Sequence, residues 1–178
     1  RFPHAAGKVT VVPPGIDRRH FYRRERAERE RARRRYGLPK RYLLAVGTLQ
    51  PRKNLPRLLA AWELAAPRQP GLGLAVAGGC GPQFRRLELK VLPPETYFLG
   101  YVPEADLPAL YSGALAYILP SLEEGFGLTL LEAMACGTPV LASRAGAIPE
   151  VLGGAGRLFD PAQPAEIAAH IEALPGDE

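Results

Sequence analysis

Sixteen residues, Glu124 to Pro139, read EGFGLTLLEAMACGTP and leave few choices for the fold around them. The apolar run Ala114 to Leu119 and a Pro120-Ser121 break precede them, so a strand runs into a short loop with two glycines. Glycine there lets backbone come close to a ligand. A helix begins near Leu128, which turns its unpaired N–H groups and positive dipole end toward the loop. Strand, glycine loop and helix N-terminus together make an anion site, most often for phosphate. Glu124 and Glu132 bracket the turn eight residues apart. Carboxylates repel phosphate, so they suit hydroxyls as hydrogen-bond acceptors. Phosphates and many hydroxyls on one ligand describe a nucleotide sugar. The bland alternative is a helix–loop turn with two solvated glutamates.

The segment from Pro120 to Val140 resembles the signature of the retaining glycosyltransferases of family 4, which have the GT-B fold. In that signature two glutamates separated by seven residues enclose Gly-Phe-Gly and lead into a Glu-Ala-Met-Ala-Cys-Gly-like helix end. Thr129 departs from it, since many relatives have proline there. The resemblance implies that Glu124 and the backbone around Gly125, Phe126, Gly127 and Leu128 position the hydroxyls of a donor sugar. It implies that Glu132 accepts hydrogen bonds from a ribose.

The 178 residues suit one domain, 1–178, large enough for a proper core. No apolar run reaches a membrane span and no signal peptide is evident. The chain starts Arg1-Phe2-Pro3-His4 without methionine, which suggests a fragment of a longer protein. Cys80 and Cys136 are far apart and lie in no metal-ligand spacing; packed thiols are the first reading and a disulfide the second. The expected location is cytoplasmic, with the inner face of the membrane as the alternative.

A net charge of +5 and a pI near 9.5 invite a nucleic-acid reading. Yet the excess sits in Arg18 to Arg35, ten arginines against Glu25, Glu28 and Glu30. Glu25 to Arg29 and Glu30 to Arg34 are spaced as helical ion pairs. A solvated surface helix running to Tyr36 follows, with no nucleic acid bound. A basic face toward an anionic membrane or an acidic partner is the remaining alternative.

In chain order, Lys8 to Val12 reads as a short buried strand before Pro13-Pro14-Gly15-Ile16-Asp17. Tyr42 to Val46 is a continuous apolar strand, and Gly47 opens the loop to Arg52, Lys53 and Asn54. Leu55, Leu58, Leu59 and Trp62 then recur at helical spacing, with Asn54 as the N-cap. Arg52 and Lys53 thus follow a strand's C-terminal end, where open α/β sheets bind ligands. The loop also resembles the family's Val-Gly-x-Leu-x-x-Arg-Lys-Asn motif. That resemblance implies Arg52 and Lys53 as catalytic cations on the donor diphosphate, with Gly47 lining the donor site.

Leu72 to Ala77 is a third strand, and Gly78 to Gly81 either line the donor site or make a tight turn. Pro82 would open a helix. Tyr97 to Pro103 resembles a family strand-and-turn whose backbone meets the nucleobase, which makes Tyr101 and Val102 base-binding candidates. Gly146-Ala147-Ile148-Pro149-Glu150 resembles the family's Gly-x-x-Pro-Glu, with Glu150 capping the motif region or simply exposed. Gly156 to Asp160 is a last strand and Ala165 to Leu174 a last amphipathic helix. His4, His20 and His170 lie near no other candidate ligand and read as solvated.

The alternation of strands and helices predicts an α/β, Rossmann-like three-layer α/β/α sandwich with about six parallel strands. By resemblance this is the C-terminal half of a GT-B enzyme, whose N-terminal acceptor domain would be its partner. The implied activity of the complete enzyme is retaining transfer of a hexose from a nucleoside diphosphate sugar to an acceptor hydroxyl. Arg52 and Lys53 would remove the need for a metal, so no cofactor is expected. The resemblance favours GDP-mannose, with UDP-sugars next. A non-catalytic sugar-nucleotide-binding module is the alternative.

Overall fold

In the computed structural model the described residues are 7–10, 12–79 and 92–176. Cys80, Gly81, Pro82 and His4 lie outside them. Six strands form one sheet: β1 (Arg41–Val46), β2 (Leu72–Ala77), β3 (Thr96–Gly100), β4 (Ala116–Leu119), β5 (Val140–Ser143) and β6 (Arg157–Phe159). All described pairings are parallel, and the order is β3-β2-β1-β4-β5-β6. The helices are α1 (Arg26–Arg35), α2 (Leu55–Ala65), α3 (Leu107–Gly113), α4 (Leu128–Ala135), α5 (Ile148–Leu152) and α6 (Pro164–Glu172).

Alternation within the strands sorts the core into two layers. Tyr42, Leu44, Ala75, Tyr117, Leu119 and Ala142 face Phe21, Leu110, Tyr111, Leu130, Ala133 and Ile148. Leu43, Leu74, Val76, Ile118 and Leu141 face the α2 stripe of Leu55, Leu58, Leu59 and Trp62, and Ile167 and Ile171 of α6. A parallel sheet covered on both faces needs near-continuous apolar strands, and β1, β2 and β4 supply them. This is the expected Rossmann-like sandwich. Among the described residues no helix is long and apolar enough to cross a membrane.

Two expected elements fall differently. Lys8 to Val12 contributes no strand among its described residues, and Val9 and Val12 are 72% and 81% exposed. A strand needs a paired edge, and the described residues of this run are not part of the six-stranded sheet. The basic helix starts at Arg26 rather than Arg18, because Asp17 forms a turn with its carbonyl accepting from the N–H groups of His20 and Phe21. Phe21 is buried in the core, which fixes that turn. Glu25 does not pair with Arg29; its carboxylate caps α1 in a reciprocal box with Glu28. Arg29 instead donates to Ser112 O at 3.4 Å.

Strand order reverses between β1 and β4: the chain leaves β1 toward β2 and leaves β4 toward β5. The crevice outside their carboxyl ends is where an open α/β sheet binds ligands.

Candidate functional site

The loop after β1 turns through a single 3₁₀ turn, Pro51–Lys53, into Asn54. The loop after β4 spans Pro120 to Gly127. Leu122 N–H donates to Arg52 O at 2.8 Å and locks the two loops together. Asn54 occupies the N-cap position of α2 but lies in the left-handed region at φ 57° and makes no side-chain cap bond. Its Nδ2 instead donates to Pro120 O at 3.0 Å and Pro161 O at 2.8 Å. A local cap has been spent on joining three loops.

Three charged groups converge across this junction. Lys53 Nζ lies 2.5 Å from Glu124 Oε1, and Arg52 Nη1 lies 3.1 Å from Glu124 Oε2. Ser121 Oγ donates to Glu124 Oε1 at 2.7 Å, and Ser143 Oγ in turn donates to Ser121 O at 2.5 Å. The Glu124 side chain is 8% exposed, Lys53 15% and Arg52 48%. Burial alone would raise the Glu124 pKa. Hydrogen bonds from Lys53 and Ser121, with the charges of Lys53 and Arg52, outweigh it and hold the carboxyl below its usual range.

Close backbone approach builds the floor. A Cβ on Gly78 would stand 1.9 Å from Gly47 O, and Gly78 has φ +155°. A Cβ on Gly47 would press the Lys53 stem at 3.1 Å. On the other side, a Cβ on Gly146 would meet Glu124 O at 2.5 Å, and Ala147 N–H donates to that same carbonyl at 3.1 Å.

Gly127, at φ 91°, turns the chain into α4. Among the described residues, the N–H groups of Gly125, Phe126, Gly127 and Leu128 have no protein acceptor. Those of Gly127 and Leu128 are orphan donors of the helix start and those of Gly125 and Phe126 belong to the loop before it, open to solvent at Gly125 and Leu128. Glu132 sits one turn further along α4, half-buried, and accepts from Tyr111 Oη at 2.8 Å. Burial raises its pKa; the Tyr111 hydrogen bond only partly offsets this, Glu104 adds to it, and His20 and Lys53 oppose it. Among the described residues no group of three His, Cys, Asp or Glu is arranged to hold a metal ion.

The family model for "Glycosyl transferases group 1" matches residues 27–178. The chain belongs to the group 1 glycosyltransferases. It is 41% identical over 138 residues to the O-antigen chain mannosyltransferase B of Escherichia coli, covering 73% of this chain and 35% of that protein. Sucrose-phosphate synthase from Thermosynechococcus elongatus superposes with a TM-score of 0.76 at 32% identity, covering 90% of this chain and 42% of that one. HepE of Anabaena in complex with UDP-glucose superposes at 0.76 with 26% identity, covering 88% and 45%. The chain thus spans 35% of the curated mannosyltransferase's length, and its fold is that of a GT-B C-terminal domain.

Within this group 1 glycosyltransferase domain, Arg52, Lys53 and Glu124 meet directly, with Gly47 under Lys53 and Gly125, Phe126, Gly127 and Leu128 leading into α4. Tyr101 projects beyond the end of β3, 78% exposed, while the Val102 side chain is buried in the core. Glu150 is exposed on α5; Gly146 and Ala147 are the members of that segment that meet the Glu124 backbone. His20 is not isolated: its Nε2 lies 3.3 Å from Glu104 O and 3.8 Å from Glu104 Oε1. Sequence reasoning missed Tyr111 as the partner of Glu132. Its place in the apolar stripe of Leu107, Leu110 and Tyr111 gave only a core signal.

Proposed function

We propose that this domain binds the donor of a retaining hexosyltransferase, a nucleoside diphosphate sugar, for transfer to an acceptor hydroxyl. The observation that carries the reading is the convergence of Arg52 and Lys53 on Glu124 beside the unpaired N–H groups of the α4 start. A diphosphate takes up the N–H groups and the two cations, and Arg52 is exposed enough to turn toward it. As the bond to the sugar breaks, negative charge grows on the diphosphate, and Arg52 and Lys53 stabilise it. We propose that these cations serve in place of a divalent ion, so chelator leaves the transfer rate unchanged.

Glu124 then accepts hydrogen bonds from donor-sugar hydroxyls. Both its oxygens are already engaged, Oε1 by Lys53 and Ser121 and Oε2 by Arg52, which suits an orienting acceptor better than a nucleophile. Glu132 accepts from the ribose hydroxyls, and the backbone after β3 near Tyr101 and Val102 meets the base. GDP-mannose is the favoured donor, supported by likeness to the O-antigen mannosyltransferase; UDP-glucose, bound by HepE, is next. The relatives are longer than this chain, and a further domain facing the same sheet edge would hold the acceptor.

The test is transfer from GDP-mannose and UDP-glucose by the full protein, with the anomer of the product read by proton NMR. Retained configuration and loss of transfer in Lys53→Ala are expected. An inverted product, or a glycosyl adduct trapped on Glu124, would overturn the mechanism.

A further inference from the structure

Two tyrosines with no assigned role in donor binding lie directly behind the site. Tyr111 of α3 and Tyr117 of β4 are both fully buried and pack edge to face, ring centroids 5.5 Å apart at 72°. Each spends its hydroxyl on the same helix. Tyr111 Oη donates to Glu132 Oε2 at 2.8 Å, and Tyr117 Oη donates to Thr129 Oγ1 at 2.8 Å. Thr129 and Glu132 are three residues apart, on one face of α4. The two bonds therefore fix both the rotation of α4 about its axis and the orientation of the carboxylate it carries. Phe21 closes the far side of Tyr111 at 6.4 Å between centroids, and Tyr111 O accepts from Thr138 Oγ1 at 2.7 Å, so the ring has little room to move.

A core needing only packing would be served by phenylalanine at both positions, since each ring already fills apolar space. The second observation is Glu132 itself. A half-buried carboxylate with one hydroxyl partner is a standing cost to the fold, and glutamine of the same shape would avoid it. A charge kept at that cost, one turn along α4 from Leu128, suits a group that meets a ligand.

We propose that Tyr111 and Tyr117 are positioning residues for nucleotide binding, which hold the Glu132 carboxylate in register for the ribose hydroxyls of a nucleoside diphosphate. The proposal rests on the reading of Glu132 given above. Tyr111 engages one oxygen, Oε2, and leaves Oε1 and the remaining lone pairs for the ligand. The charged and titratable groups around Glu132 are Tyr111 from α3, Tyr117 from β4, Glu104 ahead of α3, His20 from the segment before α1, Lys53 from the loop after β1 and Cys136 at the end of α4. Of these, Tyr111 alone hydrogen-bonds it.

The experiment is equilibrium binding of UDP, GDP and their 2′,3′-dideoxy forms to the full protein, across pH, for the parent and for Tyr111→Phe, Tyr117→Phe and Glu132→Gln. Thermal unfolding of each variant confirms that it is folded. Tyr111→Phe should weaken the tighter ribonucleotide about five- to tenfold, the net worth of one ordinary hydrogen bond, since the carboxylate is loosened and not removed. It should leave the dideoxy form within about twofold, because a ligand without ribose hydroxyls never uses that carboxylate. The pH at which ribonucleotide binding is half lost should move upward, since the missing donor favoured the charged carboxylate. Tyr117→Phe should act in the same direction and more weakly. Equal weakening of both nucleotide forms by Tyr111→Phe would show a merely structural residue and overturn the proposal. So would unchanged ribonucleotide binding in Tyr111→Phe while Glu132→Gln loses the ribose preference; only the tyrosines would then be wrong. If Glu132→Gln keeps that preference, or neither nucleotide binds, the reading of Glu132 fails and the proposal falls with it.

Discussion

Two regions carry this chain's charge, and they are built in opposite ways. Around α1 most ion pairs are local, Arg24 with Glu28, Arg33 with Glu30 at 2.9 Å and Arg34 with Glu30 at 3.9 Å, and the long-range one, Arg35 with Asp106 at 3.0 Å, has its arginine 65% exposed. Arg34 there is 78% exposed. At the β1/β4 crevice the pairs span 71 and 72 residues, from Lys53 and Arg52 to Glu124, and the carboxylate is 8% exposed. The exposed pairs of Arg34 and Arg35 are screened by solvent and worth little. The second region is convergence imposed by topology, in a place where charge is costly to keep. Net charge counts the first region and says almost nothing of the second.

The largest effect that would sharpen the contrast is at Lys53. Lys53→Ala should lower the turnover of the full enzyme by about 100- to 1,000-fold, as for loss of one charge-stabilising donor in an active site, and steady-state kinetics with GDP-mannose and UDP-glucose check it. Next come the glycines that let the loops touch. Gly78→Ala and Gly146→Ala place a Cβ 1.9 Å and 2.5 Å from backbone oxygen, at φ +155° and +53°. Each should cost about 2–4 kcal/mol in denaturant unfolding. Gly146→Ala should also weaken donor binding because it presses on Glu124, and Gly78→Ala should displace the Gly47 loop beneath Lys53.

The two glutamates should answer pH in opposite senses. The Glu124 carboxyl is held below its usual range by Lys53, Ser121 and Arg52 against the pull of burial, so its contribution is present above the unfolded carboxylate range and disappears as pH falls through the folded value. Glu124→Gln should therefore destabilise at neutral pH and little at acid pH. The Glu132 carboxyl is raised by burial, so its ionised form penalises the fold once pH exceeds the folded value. Glu132→Gln should raise the melting temperature at neutral pH, with the gain fading below the unfolded carboxylate range. Thermal unfolding from acid to neutral pH reads both; shifts of the same sign would break the contrast between the two carboxylates. The smallest effect belongs to α1. Arg34→Ala should change stability by less than about 0.5 kcal/mol, as exposed pairs do, and leave nucleotide affinity untouched.

Elements whose signal is local were legible before the fold was known. Leu72–Ala77 is bounded as read, and Tyr42–Val46 differs by one residue from Arg41–Val46, because a doubly covered parallel strand writes itself as an unbroken apolar run. The start of α4 at Leu128 was legible from Gly127 before an apolar stretch. Lys8 to Val12 carried the same signal as a strand and shows none among its described residues, since pairing depends on an edge that sequence does not reveal. Asn54 shows the limit more sharply. Its type and position specify a helix cap, yet its amide serves carbonyls at Pro120 and Pro161, 66 and 107 residues away. Long-range partners of this kind, Tyr111 with Glu132 and Gly146 with Glu124 among them, exist only once the sheet order is set. The motif residues were visible; the contacts that hold them in place were not.

The most direct test is calorimetric titration of UDP, GDP and their hexose conjugates into the full protein and into its Lys53→Ala and Arg34→Ala variants. The account predicts one preferred nucleotide, bound at least about tenfold more weakly by Lys53→Ala, as loss of a charge-assisted contact requires, and equally well by Arg34→Ala. Parent-like binding by Lys53→Ala, or equal weakening by Arg34→Ala, would contradict it and move the ligand away from the crevice between β1 and β4.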